Sequence, residues 1–249
     1  MSEMTKLSTV NPDAMGLSPQ RVFPTFAVRY PDPFILLDHF AMKKPGGFPD
    51  HPHRGFEIIS YVLNGAMAHT DNQGNATVIP AGGVQTVTAG RGLVHSELPA
   101  TDGVDSGFQL WINLPRADKQ MAPSYQEFDP NQIPEQHFVG VTVRTIVGEK
   151  SPIKINRPMV YDDVTMVEGA RYNESLPADY QGFAYVMSGA GSFTRSNRTE
   201  IAAKGDLLLF SPDPNGWSIQ VEASEGLRFV MIAGLPIGEI PRYNGPFVD

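Results

Sequence analysis

Short apolar runs rich in β-branched and aromatic residues recur along the chain, separated by clusters of turn-forming residues. Phe56 to Val62 (FEIISYV) and Gln109 to Leu114 (QLWINL) are the strongest of them. Thr86-Val87-Thr88, Leu207 to Phe210 and Arg228 to Ile232 (RFVMI) are further examples. Residues of this kind suit the pleated, half-buried surface of a sheet, so each run predicts a strand. Asn64-Gly65, Asp71-Asn72-Gln73-Gly74, Gly82-Gly83 and Pro212-Asp213-Pro214-Asn215-Gly216 supply turns between them. There Gly provides positive φ, Pro pre-sets φ, and Asn and Asp bond their own backbone. Strands and turns at this spacing predict a sandwich or jelly roll, with any regular helix short.

The pattern also repeats. Tyr61-Val-Leu-Asn-Gly65 returns as Tyr185-Val-Met-Ser-Gly189, and the later turn Pro80-Ala-Gly82 has a counterpart in Ala203-Lys-Gly205. One nearly constant offset across two strand-turn units predicts a duplicated β domain. The Pro-rich stretch from Pro123 to Gly140 is where two copies would meet, and Phe128-Asp-Pro-Asn-Gln-Ile-Pro134 is its most linker-like part. The expected division is residues 1–130 and 131–249.

Composition narrows the function classes. With 24 Gly and 22 Pro among 249 residues, no coiled coil or long-helix bundle can be built. A formal charge of −8 and the lack of a basic stripe argue against nucleic-acid binding as the main role. No apolar run is long enough to span a membrane as a helix. The opening MSEMTKLSTVNPDAMGL lacks the layout of a secretory leader, so a cytoplasmic location is expected. The chain has no Cys, so any metal would be held by imidazole nitrogens and oxygens.

Histidine is the residue that distinguishes the two copies. Of the six, His39, His51, His53, His69 and His95 lie in the first half and only His137 follows. His51-Pro52-His53 precedes the strand that begins at Phe56, and His95-Ser96-Glu97 follows Gly90-Arg91-Gly92. Positions i and i+2 of an extended chain point to one side, so each pair can face one metal. Together they offer three imidazoles and a carboxylate, a set suited to Fe, Cu, Ni, Mn, Co or Zn. His39, His69 and His137 stand alone. Shifting His51 and His53 into the second copy reaches Ser175 and Pro177, and shifting His95 and Glu97 reaches Ser218 and Gln220. The second copy is therefore expected to carry no ligand set.

Asp32-Pro-Phe-Ile-Leu-Leu-Asp38, Phe48-Pro-Asp-His-Pro-His-Arg-Gly-Phe-Glu57, Thr88-Ala-Gly-Arg-Gly-Leu-Val-His-Ser-Glu97, Gln109-Leu-Trp-Ile-Asn-Leu-Pro115 and Gly245-Pro-Phe-Val248 resemble the motifs of the pirin family, within the cupin superfamily. The resemblance implies an all-β fold of two jelly-roll domains facing each other, with one divalent metal in the N-terminal domain, Fe(II) foremost. It implies His51, His53, His95 and Glu97 as ligands. The general cupin pattern HxH-x3-E also fits His51, His53 and Glu57, but its later His is replaced by Gln85. Glu97 is therefore expected as the ligand, with Glu57 a hydrogen-bonding neighbour or alternative ligand. Arg91 would either position an anionic group or pair with a structural carboxylate. Phe34, Phe48 and Phe56 are candidate pocket walls. The chain ends one residue past its last motif, where long eukaryotic members continue into a helical tail, so a compact bacterial-type form is expected.

The family is associated with quercetin 2,3-dioxygenase activity, in which O2 opens the central ring of a flavonol and carbon monoxide is released. On that reading Glu97 would accept the proton of the flavonol hydroxyl, and flavonol and O2 would be the partners. Two other readings stand beside it. One is a regulatory protein that binds other proteins, such as transcription factors or metabolic enzymes, without catalysis. The other is an oxygenase of the same fold with a different substrate. A monomer is expected, because two fused domains already pair internally.

Overall fold

The computed structural model describes residues 3–8 and 19–249. The reading of the opening residues as lacking a leader falls mostly outside them. Strand β1 (Met4–Ser8) precedes ten strands of the first half: β2 (Gln20–Phe23), β3 (Phe34–Met42), β4 (Phe48–His53), β5 (Phe56–Asn64), β6 (Ala66–Asp71), β7 (Ala76–Pro80), β8 (Val84–Thr88), β9 (Leu93–Pro99), β10 (Asp105–Asn113) and β11 (Ser124–Phe128). The second half contributes β12 (Glu135–Phe138), β13 (Val141–Val147), β14 (Met159–Met166), β15 (Arg171–Leu176), β16 (Gln181–Ser188), β17 (Ala190–Arg195), β18 (Arg198–Ala203), β19 (Asp206–Phe210), β20 (Trp217–Ala223) and β21 (Leu227–Gly234). Two short strands, β22 (Tyr243–Asn244) and β23 (Phe247–Val248), close the chain. Among the described residues the helical content is one 3-10 turn at Pro130–Gln132.

The described residues form two compact units, one of residues 19–132 with 237–249 and the other of 3–8 with 133–236. This differs from a single cut after residue 130, because both ends of the chain change unit. Backbone pairing is the reason. β1 forms a five-residue antiparallel ladder with β19, which covers an otherwise unpaired sheet edge. At the other end Val248 N donates to Arg54 O at 2.9 Å, and Arg54 forms an ion pair with Asp249 at 2.9 Å. Val248 is fully buried in a cluster with Ile35, Phe56, Ile58, Val87 and Leu93.

Each unit is a jelly roll, and the two share one strand plan. The first pairs a six-stranded sheet, β11-β8-β5-β10-β3-β2, with a four-stranded sheet, β4-β9-β6-β7. The second pairs β1-β19-β16-β21-β14-β13-β12 with β15-β20-β17-β18. The duplication read from the turn motifs is thus a duplication of sheet order. Gly65 and Gly189 both sit at φ of 72°. A Cβ at either would collide with a neighbour, the Asp105 carboxylate or the Gly226 carbonyl.

Central strands are buried on both faces, as FEIISYV of β5 shows, whereas β20 alternates Trp217, Ile219, Val221 and Ala223 inward with exposed Ser218, Gln220 and Glu222. Each fully buried Phe or Ile contributes roughly 1.5–3 kcal/mol. The stretch read as a linker is less bare than expected. β11 pairs with β8 and β12 with β13, so little more than the 3-10 turn of that stretch lies outside a sheet.

Candidate metal centre

The site lies inside the first jelly roll, where the four-stranded sheet places β9 between β4 and β6. His95 is the cross-strand partner of His51 on one side and of Asp71 on the other, while Glu97 is opposite His69. Alternation directs His95 and Glu97 inward, both about 1% exposed, while Val94 and Leu98 stand outside. Ring centroids of His51 and His95 are 4.5 Å apart, those of His51 and His53 4.6 Å, and those of His53 and His95 5.0 Å. One donor atom from each of these three rings lies within 4.8 Å of the others.

A second group within the same limit consists of His69, His95 and Glu97. The four residues anticipated from the sequence are therefore neighbours, arranged as two triads that share His95. His69, read from the sequence as isolated, is fully buried on the inner face of β6 and stacks on Tyr125 at 4.6 Å. The signal was available, since His69-Thr70-Asp71 has the same i,i+2 spacing. His69 Nε2 lies 3.3 Å from Asp71 Oδ2.

Several ring nitrogens have been stripped of partners. His53 Nε2, His69 Nδ1 and both nitrogens of His95 are buried without a hydrogen bond. An orphaned buried polar atom costs on the order of 1–3 kcal/mol, so this convergence calls for a ligand. Two other ring nitrogens face backbone: His51 Nδ1 is 2.8 Å from Pro49 O, and His53 Nδ1 is 3.4 Å from Pro246 O. Hydrogen bonds of this type fix the tautomer that leaves Nε2 free to ligate. Burial, reinforced by the neighbouring histidines, lowers the pKa of His53 and of His95 to about 3. Both rings are consequently neutral at physiological pH, as a metal ligand must be. The donor set fits a divalent cation held by imidazole and carboxylate.

Glu97 is held from the opposite sheet. Ser60 Oγ and Gln85 Nε2 donate to its Oε1 at 3.0 and 2.5 Å, and Gln109 Nε2 donates to its Oε2 at 2.6 Å. The three donors form one cross-strand row, because Ser60 is paired with Gln85 on β8 and with Gln109 on β10. Trp111 Nε1 donates to Gln109 Oε1 at 2.8 Å, which directs the amide nitrogen at the carboxylate. Gln85 stands where the general pattern expects a histidine, and its role is to grip the acid. The other donors, Ser60 and Gln109, had no sequence signal, since each is flanked by apolar residues in its strand.

Glu57 is placed apart from the two groups. It lies on the face of β5 opposite to Ser60, accepts from Thr88 Oγ1 at 2.9 Å, and belongs to neither ligand group. An odd separation along a strand is the reason, because residues 57 and 60 point to opposite faces. Arg91 is exposed in the β8–β9 turn, where its backbone N–H donates to Met121 O at 2.9 Å. It lies in neither group. Phe56 stacks on Trp111 at 4.3 Å, and His53 meets both rings edge-on at 5.1 and 4.9 Å, so Phe56 does wall the site. Phe48 packs on Phe40, Met42, Val62, Met67 and Ile79, and its ring centroid lies 6.3 Å from that of His51. Phe34 is fully buried.

Strand register in the second unit selects other residues than the sequence offsets did. By strand register His95 and Glu97 correspond to Ile219 and Val221, and His51 and His53 to Glu174 and Leu176. The sequence offsets had selected Ser175, Pro177, Ser218 and Gln220. On a strand a one-residue slip exchanges the faces, and Ser218 and Gln220 point to solvent.

Two family models match the chain, described as Pirin over residues 16–112 and as the Pirin C-terminal cupin domain over residues 161–249. Pirin-like protein 2 of Arabidopsis thaliana is 44% identical over 225 residues, covering 87% of this chain and 70% of that one. Pirin of Mus musculus is 36% identical over 260 residues, covering 98% and 86%. Among solved structures, a protein of Geobacillus kaustophilus superposes with a TM-score of 0.81 at 32% identity, over 89% of this chain and 90% of that one. A quercetin 2,3-dioxygenase from Acinetobacter baumannii gives a TM-score of 0.78 at 29% identity, over 87% and 79%.

Proposed function

Since the chain belongs to the pirin family of two-domain cupins, we propose that it is a metal-dependent dioxygenase of the quercetin 2,3-dioxygenase type. One observation carries the reading: buried, unpartnered imidazole nitrogens converge beside a carboxylate that three donors hold in place. The likeness to a quercetin 2,3-dioxygenase supports the substrate class. His51, His53 and His95 would hold the metal, with Glu97, two residues from His95 on β9, completing the set. Fe(II) is the metal we favour, and Cu, Ni, Mn, Co and Zn suit the same donors.

When bound, the metal supplies Lewis acidity towards a flavonol hydroxyl and positions left open by the protein ligands. This chain's own residues do the rest. Glu97 accepts the hydroxyl proton at a carboxylate oxygen, while Ser60, Gln85 and Gln109 keep that carboxylate oriented. Phe56 and Trp111 form an aromatic wall beside His53 that suits a flat substrate and keeps water away. O2 then opens the central ring and carbon monoxide leaves.

The test is anaerobic reconstitution of the apoprotein with Fe(II), followed by quercetin and O2, with flavonol absorbance and carbon monoxide both recorded. Metal-dependent turnover that disappears in His51→Ala and in His95→Ala is the expected result. Tight metal binding with no turnover under Fe, Cu, Ni, Mn or Co would sink the enzymatic reading in favour of a regulatory, protein-binding role. Turnover of other aromatic substrates alone would keep the chemistry and replace the flavonol.

A further inference from the structure

The second unit has no ligand triad, yet its barrel contains an unmet charge. β14 directs Val160, Asp162 and Val164 towards the core, while Asp163 on the other face is held by Arg228 at 3.0 and 2.6 Å. Asp162 is 5% exposed. Thr145 hydrogen-bonds its carboxyl, but Oδ1 is buried with no partner. The residue lines a cavity of about 470 Å³ together with Glu174, Tyr172, Tyr180, Met159 and Pro177. Tyr172 donates its hydroxyl to the Glu174 carboxylate. Glu149 and Lys150 are the other titratable groups on the wall. The volume is that of a small-molecule site, and the lining mixes apolar and aromatic side chains with polar and charged ones.

The sister unit shows what this carboxylate lacks. Asp38 is paired with Gln109 on β10 and with Arg21 on β2, and Asp162 is paired with Met231 on β21 and with Thr145 on β13. Asp38 and Asp162 therefore hold the same place in the two jelly rolls. Arg21 grips Asp38 through two hydrogen bonds, Nε at 2.6 Å and Nη2 at 2.9 Å. In the second unit Thr145 stands in the place of that arginine, and no cationic side chain reaches Asp162 among the described residues. An isolated buried carboxylate is costly, and burial pushes the Asp162 pKa up to about 7. A single unpartnered oxygen beside a Tyr-bonded Glu174 is too few donors for a metal ion.

We propose that the cavity of the second unit binds a small organic cation, an amidinium, guanidinium or primary ammonium carried on a flat apolar body, whose N–H donors engage Asp162 as Arg21 engages Asp38. Glu174 adds negative potential opposite, and Tyr172 and Tyr180 give the apolar body aromatic faces. The site is separate from the histidine centre and does not depend on the reaction assigned to it.

The intact chain is titrated with benzamidine and benzylamine, and with the neutral shape matches benzamide and benzyl alcohol, by calorimetry. The cations are expected to saturate, with the neutral compounds at least about tenfold weaker. Asp162→Asn should weaken benzamidine by at least about tenfold. Thr145→Arg should abolish binding while retaining the native β circular dichroism, because it supplies the missing guanidinium from within the chain. His95→Ala should leave the affinity unchanged. Equal binding of charged and neutral probes overturns the proposal, as does wild-type affinity in both second-unit variants. Loss of binding in His95→Ala would assign the probe to the histidine centre, and saturation by none of the four probes below about 10 mM would also overturn it.

Discussion

One row of paired positions runs across the large sheet of each unit, and the two rows differ at nearly every place. In the first unit it reads Gln85, Ser60, Gln109, Asp38. In the second it reads Leu208, Ala184, Met231, Asp162. The first row is polar because something ionic faces it: three of its side chains donate to Glu97. In the second unit the facing position is Val221, and the row has become hydrocarbon that packs in the core. The backbone plan survives the exchange of a charged interior for an apolar one. Ladder hydrogen bonds hold the sheets, and the inner faces are left to vary. Asp162 is the exception, a carboxylate in the row flanked by Met231 and Thr145 where Asp38 has Gln109 and Arg21.

The comparison can be broken most severely at the residue common to both triads. His95→Ala should reduce metal content after reconstitution from about one equivalent to near zero, measured by elemental analysis of the desalted protein. Glu57→Gln should retain full occupancy, since Glu57 points to the other face of β5. Loss of metal in Glu57→Gln with retention in Glu97→Gln would reverse the assignment of the carboxylate.

Transplanting the second row into the first tests the cradle. Ser60→Ala, Gln85→Leu and Gln109→Met combined should leave the Glu97 carboxylate unsupported and weaken metal affinity by about 10- to 100-fold, read from competition with a chelator. Unchanged affinity would mean that the row serves packing alone.

A smaller effect concerns pH. Burial raises the folded-state pKa of Asp162 from 3.8 to about 7, with Glu174 and Asp163 adding to the rise and Thr145 opposing it. The fold favours the protonated acid, so its contribution is full below about pH 4 and is lost as pH rises through 7. Chemical denaturation of wild type and Asp162→Asn across this range should show wild type losing stability relative to the variant, then a constant difference above pH 7. Glu174 shifts in the same direction, so the comparison isolates the one carboxyl. A pH-independent difference would show that Asp162 does not titrate in this window. Least affected of all should be Arg91→Ala, an exposed turn residue, with a stability change within about 0.5 kcal/mol and unaltered metal content.

Much of this was legible along the chain, and the reasons are local. Strands announced themselves through β-branched and aromatic runs, turns through Gly, Pro, Asn and Asp, and duplication through Tyr61–Gly65 and Tyr185–Gly189. The i,i+2 histidine pairs were legible too, because a two-residue repeat on a strand is a same-face repeat whatever lies beyond it. The face taken by Glu57 was not legible, because spacing across a turn does not reveal which face a strand turns inward. The strand exchange at the two chain ends was hidden as well, since MTKLS and GPFV do not encode the partner they pair with.

The sequence by itself determined the element types, the two-domain plan and which domain carries histidine, because these depend on properties of residues near one another in the chain. Tertiary structure alone decided that Glu97 would be gripped by Ser60, Gln85 and Gln109, that His69 would join His95, and that Asp162 would lack the cation Asp38 possesses. Each of those depends on register between strands distant in sequence, where a shift of one residue turns a donor from the site to the solvent.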